Sequence, residues 1–165
     1  MSIFVIGIDP GLNNLGISVI EYSDLGVTSN FYLKYFEEIN TSSKEPIEER
    51  LYIIYLKVID ILEKFPMITI MGLEESFVNI NNKTSLKIAM VNGVLVVLSK
   101  KFNLKLKYMS STYIKKKISG LGHASKEQIK FFVDSIIYKD TFFINCENKI
   151  SHHVYDSIAI AIVAV

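Results

Sequence analysis

The sequence predicts an α/β fold: a mixed five-stranded sheet, with a three-strand antiparallel meander plus two parallel strands, and helices on both faces. Three observations carry this expectation. The first 36 residues hold three apolar, β-branched-rich runs separated by turn-forming clusters. Beyond them, segments of helical spacing alternate with two shorter strand-like runs. No repeat, low-complexity tract or domain-sized linker interrupts the chain, so residues 1–165 are expected to form a single domain.

Ile3 to Asp9, Leu15 to Tyr22 and Ser29 to Phe36 read as the meander, with "DPGLNN" and "YSDLGV" as its turns. "TSSKEPIEERLYIIYLKVIDILEKF" has a polar start, Pro46 near its first turn, and apolar residues at Ile47, Leu51, Ile54, Tyr55, Val58 and Leu62. That spacing is helical. "MITIMGLEESF" reads as a buried strand ending at Glu74, "TSLKIAMVNGVLVVLSKKF" as a second helix, and "LKLKYM" as a short fifth strand. Ser125 and Gln128 form a capping box before "KEQIKFFVDSII". Ser151 can cap a last helix, "HHVYDSIAIAIVAV", whose alanines allow close packing on a sheet.

The second helix is apolar on two sides. Leu86, Ala89, Met90, Gly93 and Val97 make one face; Ile88, Val91, Leu95 and Leu98 make the other. Its second cover is either the core of the same chain or another copy of it.

Half the residues are hydrophobic and 21% are charged, a globular balance. The single cysteine, Cys146, excludes an internal disulfide framework and suits a reducing compartment. With no basic-then-apolar leader and no apolar run near ~20 residues, a soluble cytoplasmic protein is expected. The net charge of +1 conceals an uneven distribution. Residues 100–130 carry nine lysines against one acid, Glu127, whereas residues 1–99 carry seven basic and twelve acidic side chains. Such a segment is either solvated surface or an electrostatic footprint for phosphates.

Asp9, Glu74 and Asp156 lie at the edges of apolar segments, and His153 precedes Asp156 by three residues, on one helical face. If the first and fourth strands are neighbours, these groups can converge on hard divalent cations, which take several oxygen ligands. The pattern alone leaves solvated or capping roles open for each of them.

Four stretches together resemble the RuvC-type Holliday-junction resolvases, within the RNase H-like nucleases. They are "GIDPGLNNLGISVI", "GLEESFVNINNKTSLKIAMVNGVLVVLS", "TYIKKKISGLGHASKEQIKFFV" and "HHVYDSIAIAI". The resemblance spans nearly the whole chain, in order and at matching spacing. It implies that Asp9, Glu74 and Asp156 are metal-binding catalytic acids. His153 falls where many members have aspartate, and is implied as a further ligand. Lys115 and Lys126 match lysines that the family places near the scissile phosphate, and Phe77 matches an aromatic used against bases at the junction centre. Lys116 and Lys117 are expected to be general phosphate contacts, and Glu75 a surface or supporting group. A homodimer through the helix around 85–101, two Mg²⁺ ions with Mn²⁺ as a substitute, and paired nicks leaving 5′-phosphate and 3′-hydroxyl ends also follow from the resemblance. A bacterial, phage or large-virus source would each fit.

"GIDPGLNNLG" also resembles the phosphate loop of actin-like and sugar-kinase ATPases, but those build their site between two copies of the fold. A broader branched-DNA or RNA–DNA hybrid nuclease, and a non-catalytic junction-binding module, are the remaining alternatives.

Overall fold

The computed structural model describes residues 2–24, 26, 29–75, 83–139 and 150–165. Strands β1 (Ser2–Asp9), β2 (Asn14–Asp24) and β3 (Ser29–Asn40) form the meander. Helix α1 (Ile47–Lys64), strand β4 (Ile68–Glu74), helix α2 (Lys83–Lys101) and strand β5 (Lys105–Met109) follow, then helices α3 (Ser111–Ser119) and α4 (Lys126–Ile136), strand β6 (Ile137–Lys139) and helix α5 (His152–Val163).

The sheet order is β5-β4-β1-β2-β3-β6, with β4 parallel to β1 and β5 parallel to β4. The sheet therefore has six strands, where the sequence predicts five. The sixth is three residues long and pairs parallel to β3, Phe31 opposite Ile137, directly after α4. Helix α3 is a second departure. Ser110 Oγ accepts from Tyr113 N–H, Gly120 closes the helix at φ 76°, and Ile114 and Ile118 point into the core. The other predicted elements are present, β3 running four residues past Phe36. No helix among the described residues is long and apolar enough to cross a membrane.

Side chains alternate across a strand, so the two faces of the sheet can be read off β1. Ile6 and Ile8 join the core beneath α1 and α2; Val5 joins the core beneath α3, α4 and α5. By the same period of two, Gly7 and Asp9 face α5, and on β4 so do Ile70, Gly72 and Glu74.

Helix α5 lies unusually close to the sheet. A Cβ added at Gly16 would stand 2.0 Å from the His153 carbonyl oxygen, and one at Gly7 2.2 Å from that of Ser157. At Gly72 it would stand 2.9 Å from Ala164 Cβ. Three glycines on adjacent strands β2, β1 and β4 thus form the bed on which α5 rests, and set the height of its first turn over the strand ends.

Candidate active site

Because β1 and β4 are parallel neighbours, Asp9 and Glu74 emerge side by side at their C-terminal ends, on the α5 face. Ser151 Oγ accepts from Val154 N–H at 3.3 Å and fixes the start of α5, placing His153 and Asp156 in its opening turns. His153 Nδ1–H donates to Asp9 Oδ2 at 2.7 Å, a contact between residues 144 apart in the chain.

The electrostatics report the same convergence. Burial, then the charge of Asp9, pushes the Glu74 carboxyl above its ordinary range; Asp156 adds to this, while a hydrogen bond from Ser111 and the charge of Lys115 oppose it. Burial and Asp9 likewise push Asp156 up, against Lys126, His153 and His152. For His153 the bond to Asp9 raises the pKa; burial works against it, and the charges of Asp9 and Glu38 reinforce it. Two carboxyls, Glu74 and Asp156, pushed toward protonation by burial and by the charge of Asp9 are the condition that a bound cation relieves.

Oxygen donors with one imidazole fit a hard or borderline divalent ion. Among the described residues, however, no three His, Cys, Asp or Glu side chains stand close enough together as placed to hold a metal ion. The group is a set of repelling acids, with Asp9 held by a histidine.

Lys115, half-buried on α3, and Lys126, at the start of α4, both act on the acids. The run "TYIKKK" faces in two directions. Lys116 and Lys117 are exposed, and Lys117 Nζ sits 5.6 Å from the Tyr113 ring centroid. Neither is among the charges shifting Glu74, Asp156 or His153. Glu75 is exposed and gives its backbone N–H to the Met109 carbonyl. Phe77 lies outside the described residues.

Beside Asp9 and His153 opens a cleft of about 380 Å³, lined also by Asn13, Asn14, Thr84 and Lys87. Sequence reasoning missed these residues, together with Ser111 and Glu38. Asparagines in a turn and one of the four lysines of α2 carry no signal until the fold brings them to one place.

Comparison with known proteins decides the family. The family model described as "Crossover junction endodeoxyribonuclease RuvC" matches residues 5–164. The chain belongs to the RuvC family. A curated RuvC from Ehrlichia canis is 35% identical over 159 residues, covering 96% of this chain and 93% of the relative. The structure of Thermus thermophilus RuvC in complex with Holliday junction substrate superposes with a TM-score of 0.80 at 27% identity, covering 96% of this chain and 90% of that one. A yeast mitochondrial Holliday junction resolvase, 18% identical with a TM-score of 0.64, shares the fold. Within the RuvC family, then, the convergence of Asp9, Glu74, His153 and Asp156 stands at the end of the two central parallel strands, where the sheet changes from parallel to antiparallel pairing. Open α/β sheets place ligand crevices outside the carboxyl ends of their strands.

Proposed function

We propose that this protein is a structure-selective endodeoxyribonuclease that resolves four-way DNA junctions. The observation that carries this reading is the convergence of Asp9, Glu74 and Asp156 beneath Lys115 and Lys126, in a chain of the RuvC family. In this reading the three carboxylates and His153 hold Mg²⁺, two ions in all, with Mn²⁺ as a substitute. When bound, the metal supplies Lewis acidity, lowering the pKa of water and stabilising charge on the leaving oxygen.

The chain's own side chains do the rest. His153 holds Asp9 in one rotamer, and α5 fixes the heights of His153 and Asp156 above the strand ends. Lys115 and Lys126 offset the acids before substrate arrives and meet phosphate charge as it builds during in-line attack. Water displaces the 3′ oxygen, which leaves 5′-phosphate and 3′-hydroxyl ends. Lys116 and Lys117, exposed on the same helix, serve as phosphate contacts farther along the DNA, and Phe77 stacks on a base at the junction centre.

The active species in our reading is a homodimer, working on DNA in the cytoplasm. On α2, Val91, Leu95 and Leu98 are buried, whereas Leu86 and Val97 are 57% and 64% exposed, with Met90 beside them. A Cβ at Gly93 would meet nothing within 4 Å, so this small-residue gap is open to a partner helix. Two-fold symmetry would present two sites to opposing strands of a pseudo-symmetric junction.

The test uses a labelled four-way junction and a matched linear duplex, each with wild type and Asp9→Asn, with and without Mg²⁺. Paired cuts in the junction alone, dependent on metal and on Asp9, are expected. Equal cutting of both substrates, or full activity of the variant, refutes the proposal.

A further inference from the structure

Arg50 is the chain's only arginine, and it is 2% exposed. A guanidinium is always charged and carries only donors, so burying it away from a carboxylate is costly. Among the described residues Arg50 has no acidic partner. Nε donates to Thr41 Oγ1 at 2.9 Å, and Nη2 donates to Asn13 Oδ1. Thr41 completes the anchorage: its hydroxyl donates to the Leu12 carbonyl, and its backbone N–H donates to the Asn13 carbonyl at 3.0 Å. The neighbouring Asn14 amide is spent on Glu38 and Asn40. The turn that follows Asp9 is thereby tied to the start of α1 and the end of β3.

This arrangement has a chemical consequence. Because Arg50 offers no acceptor, the Asn13 atom facing it must be Oδ1, and the amide cannot flip. Asn13 is exposed and lines the cleft beside Asp9 and His153, and its Nδ2 has no partner among the described residues. Two N–H donors are therefore held for whatever enters the cleft. Phosphodiester oxygens accept hydrogen bonds and donate none.

We propose that Arg50 and Asn13 form a preset phosphate contact. Asn13 Nδ2 donates to a backbone phosphate of the DNA strand lying in the cleft, and Arg50 is the positioning residue that aims it. This deepens the endonuclease reading above and rests on it.

The test uses the full chain in three measurements: thermal denaturation, junction affinity by fluorescence anisotropy in EDTA, and single-turnover cutting in Mg²⁺. Asn13→Asp keeps an acceptor for Arg50, now a charged one, but has no N–H to give; its Tm should match or exceed wild type while junction Kd rises. Asn13→Ala introduces no charge and should also raise Kd, by about 10-fold, the scale of one hydrogen bond to a charged group. Arg50→Lys should weaken binding in the wild-type background and have no further effect on Kd beside Asn13→Ala, a coupling that a purely structural role would not produce. Wild-type affinity in both Asn13 variants overturns the proposal, as does an Arg50→Lys effect on Kd that simply adds to Asn13→Ala. A wild type that binds the junction but never cuts it refutes the nuclease reading, while the Kd comparison still judges the pair. A wild type that binds no DNA overturns both.

Discussion

Substituting Gly7 by alanine tests whether the bed beneath α5 sets the geometry of the acids. The added Cβ would stand 2.2 Å from the Ser157 carbonyl oxygen and 2.7 Å from both Ala161 N and Ala161 Cβ. Two of these three atoms are backbone, so no side-chain rotation can relieve the clash. Non-bonded atoms sit comfortably at ~3.5 Å, so α5 must withdraw by roughly 1 Å. Overpacking of this kind costs about 1–3 kcal/mol. In a chain of this size each kcal/mol lowers Tm by about 2–4 °C. The larger effect falls on catalysis. The helix carries His153 and Asp156, while Asp9 and Glu74 stay with the sheet, and a misplacement of ~1 Å costs on the order of 10²-fold in rate. The assay pairs thermal denaturation with single-turnover cutting of a synthetic four-way junction in Mg²⁺. Gly7→Ala should fold, melt lower, bind the junction normally in EDTA and cut about 10²-fold more slowly. A variant with wild-type Tm and wild-type rate refutes the claim that α5 is seated by this glycine.

Burial and the charges of Asp9 and Asp156 hold the Glu74 carboxyl above its ordinary range. The stability of the metal-free protein from this group is therefore fully present below the unfolded pKa of ~4.3 and is lost as pH rises through the folded value. Glu74→Gln should accordingly raise Tm in EDTA at pH 7 while abolishing cutting, and a lower Tm than wild type would count against the site being a cluster of repelling acids. Leu86→Glu with Val97→Glu, both on the exposed face of α2, should convert a dimer to a folded monomer in sedimentation at micromolar concentration; a persistent dimer removes that interface. The bond to Asp9 raises the His153 pKa, so the ring stays protonated, without a free lone pair, to pH values above the usual ~6.5. Cutting should lose its steep acidic limb in His153→Asp, and an unchanged pH profile would sink the ligand role of His153.

How much of this was legible in the sequence depends on the range of the interaction. Helix caps at Ser125 and Ser151 are local, and the structure holds both as read. Helix α3 was equally local but masked: three consecutive lysines hid the Ile114 and Ile118 pair, and Ser110 and Gly120 mark its ends only once a helix is suspected. Strand β6 has no signal of its own, since three residues become a strand only by pairing with Phe31 to Leu33. Arg50 is a stronger case of the same limit. An arginine in the first turns of an amphipathic helix reads as solvated, and only the fold brings Thr41 and Asn13 against it.

The acids themselves sit between these extremes, and the reason lies in a three-residue pattern that occurs twice. On β1 it is Gly7-Ile8-Asp9, and on β4 it is Gly72-Leu73-Glu74. Ile8 and Leu73, both fully buried, lock each strand into the core under α1 and α2. The glycine two residues back from the strand end gives up its side chain so that α5 can approach. The acid, on the same face as that glycine, then meets the opening turns of the helix, where His153 and Asp156 stand. Each triplet alone looks like a strand with a polar end. Because β1 and β4 are parallel neighbours in register, with Gly7 opposite Gly72, the two triplets become one device: a shared seat for α5 and a shared place for two carboxylates. The charge that ends a buried strand is therefore tied to the glycine before it, and that glycine cannot gain a side chain without moving the helix that completes the site.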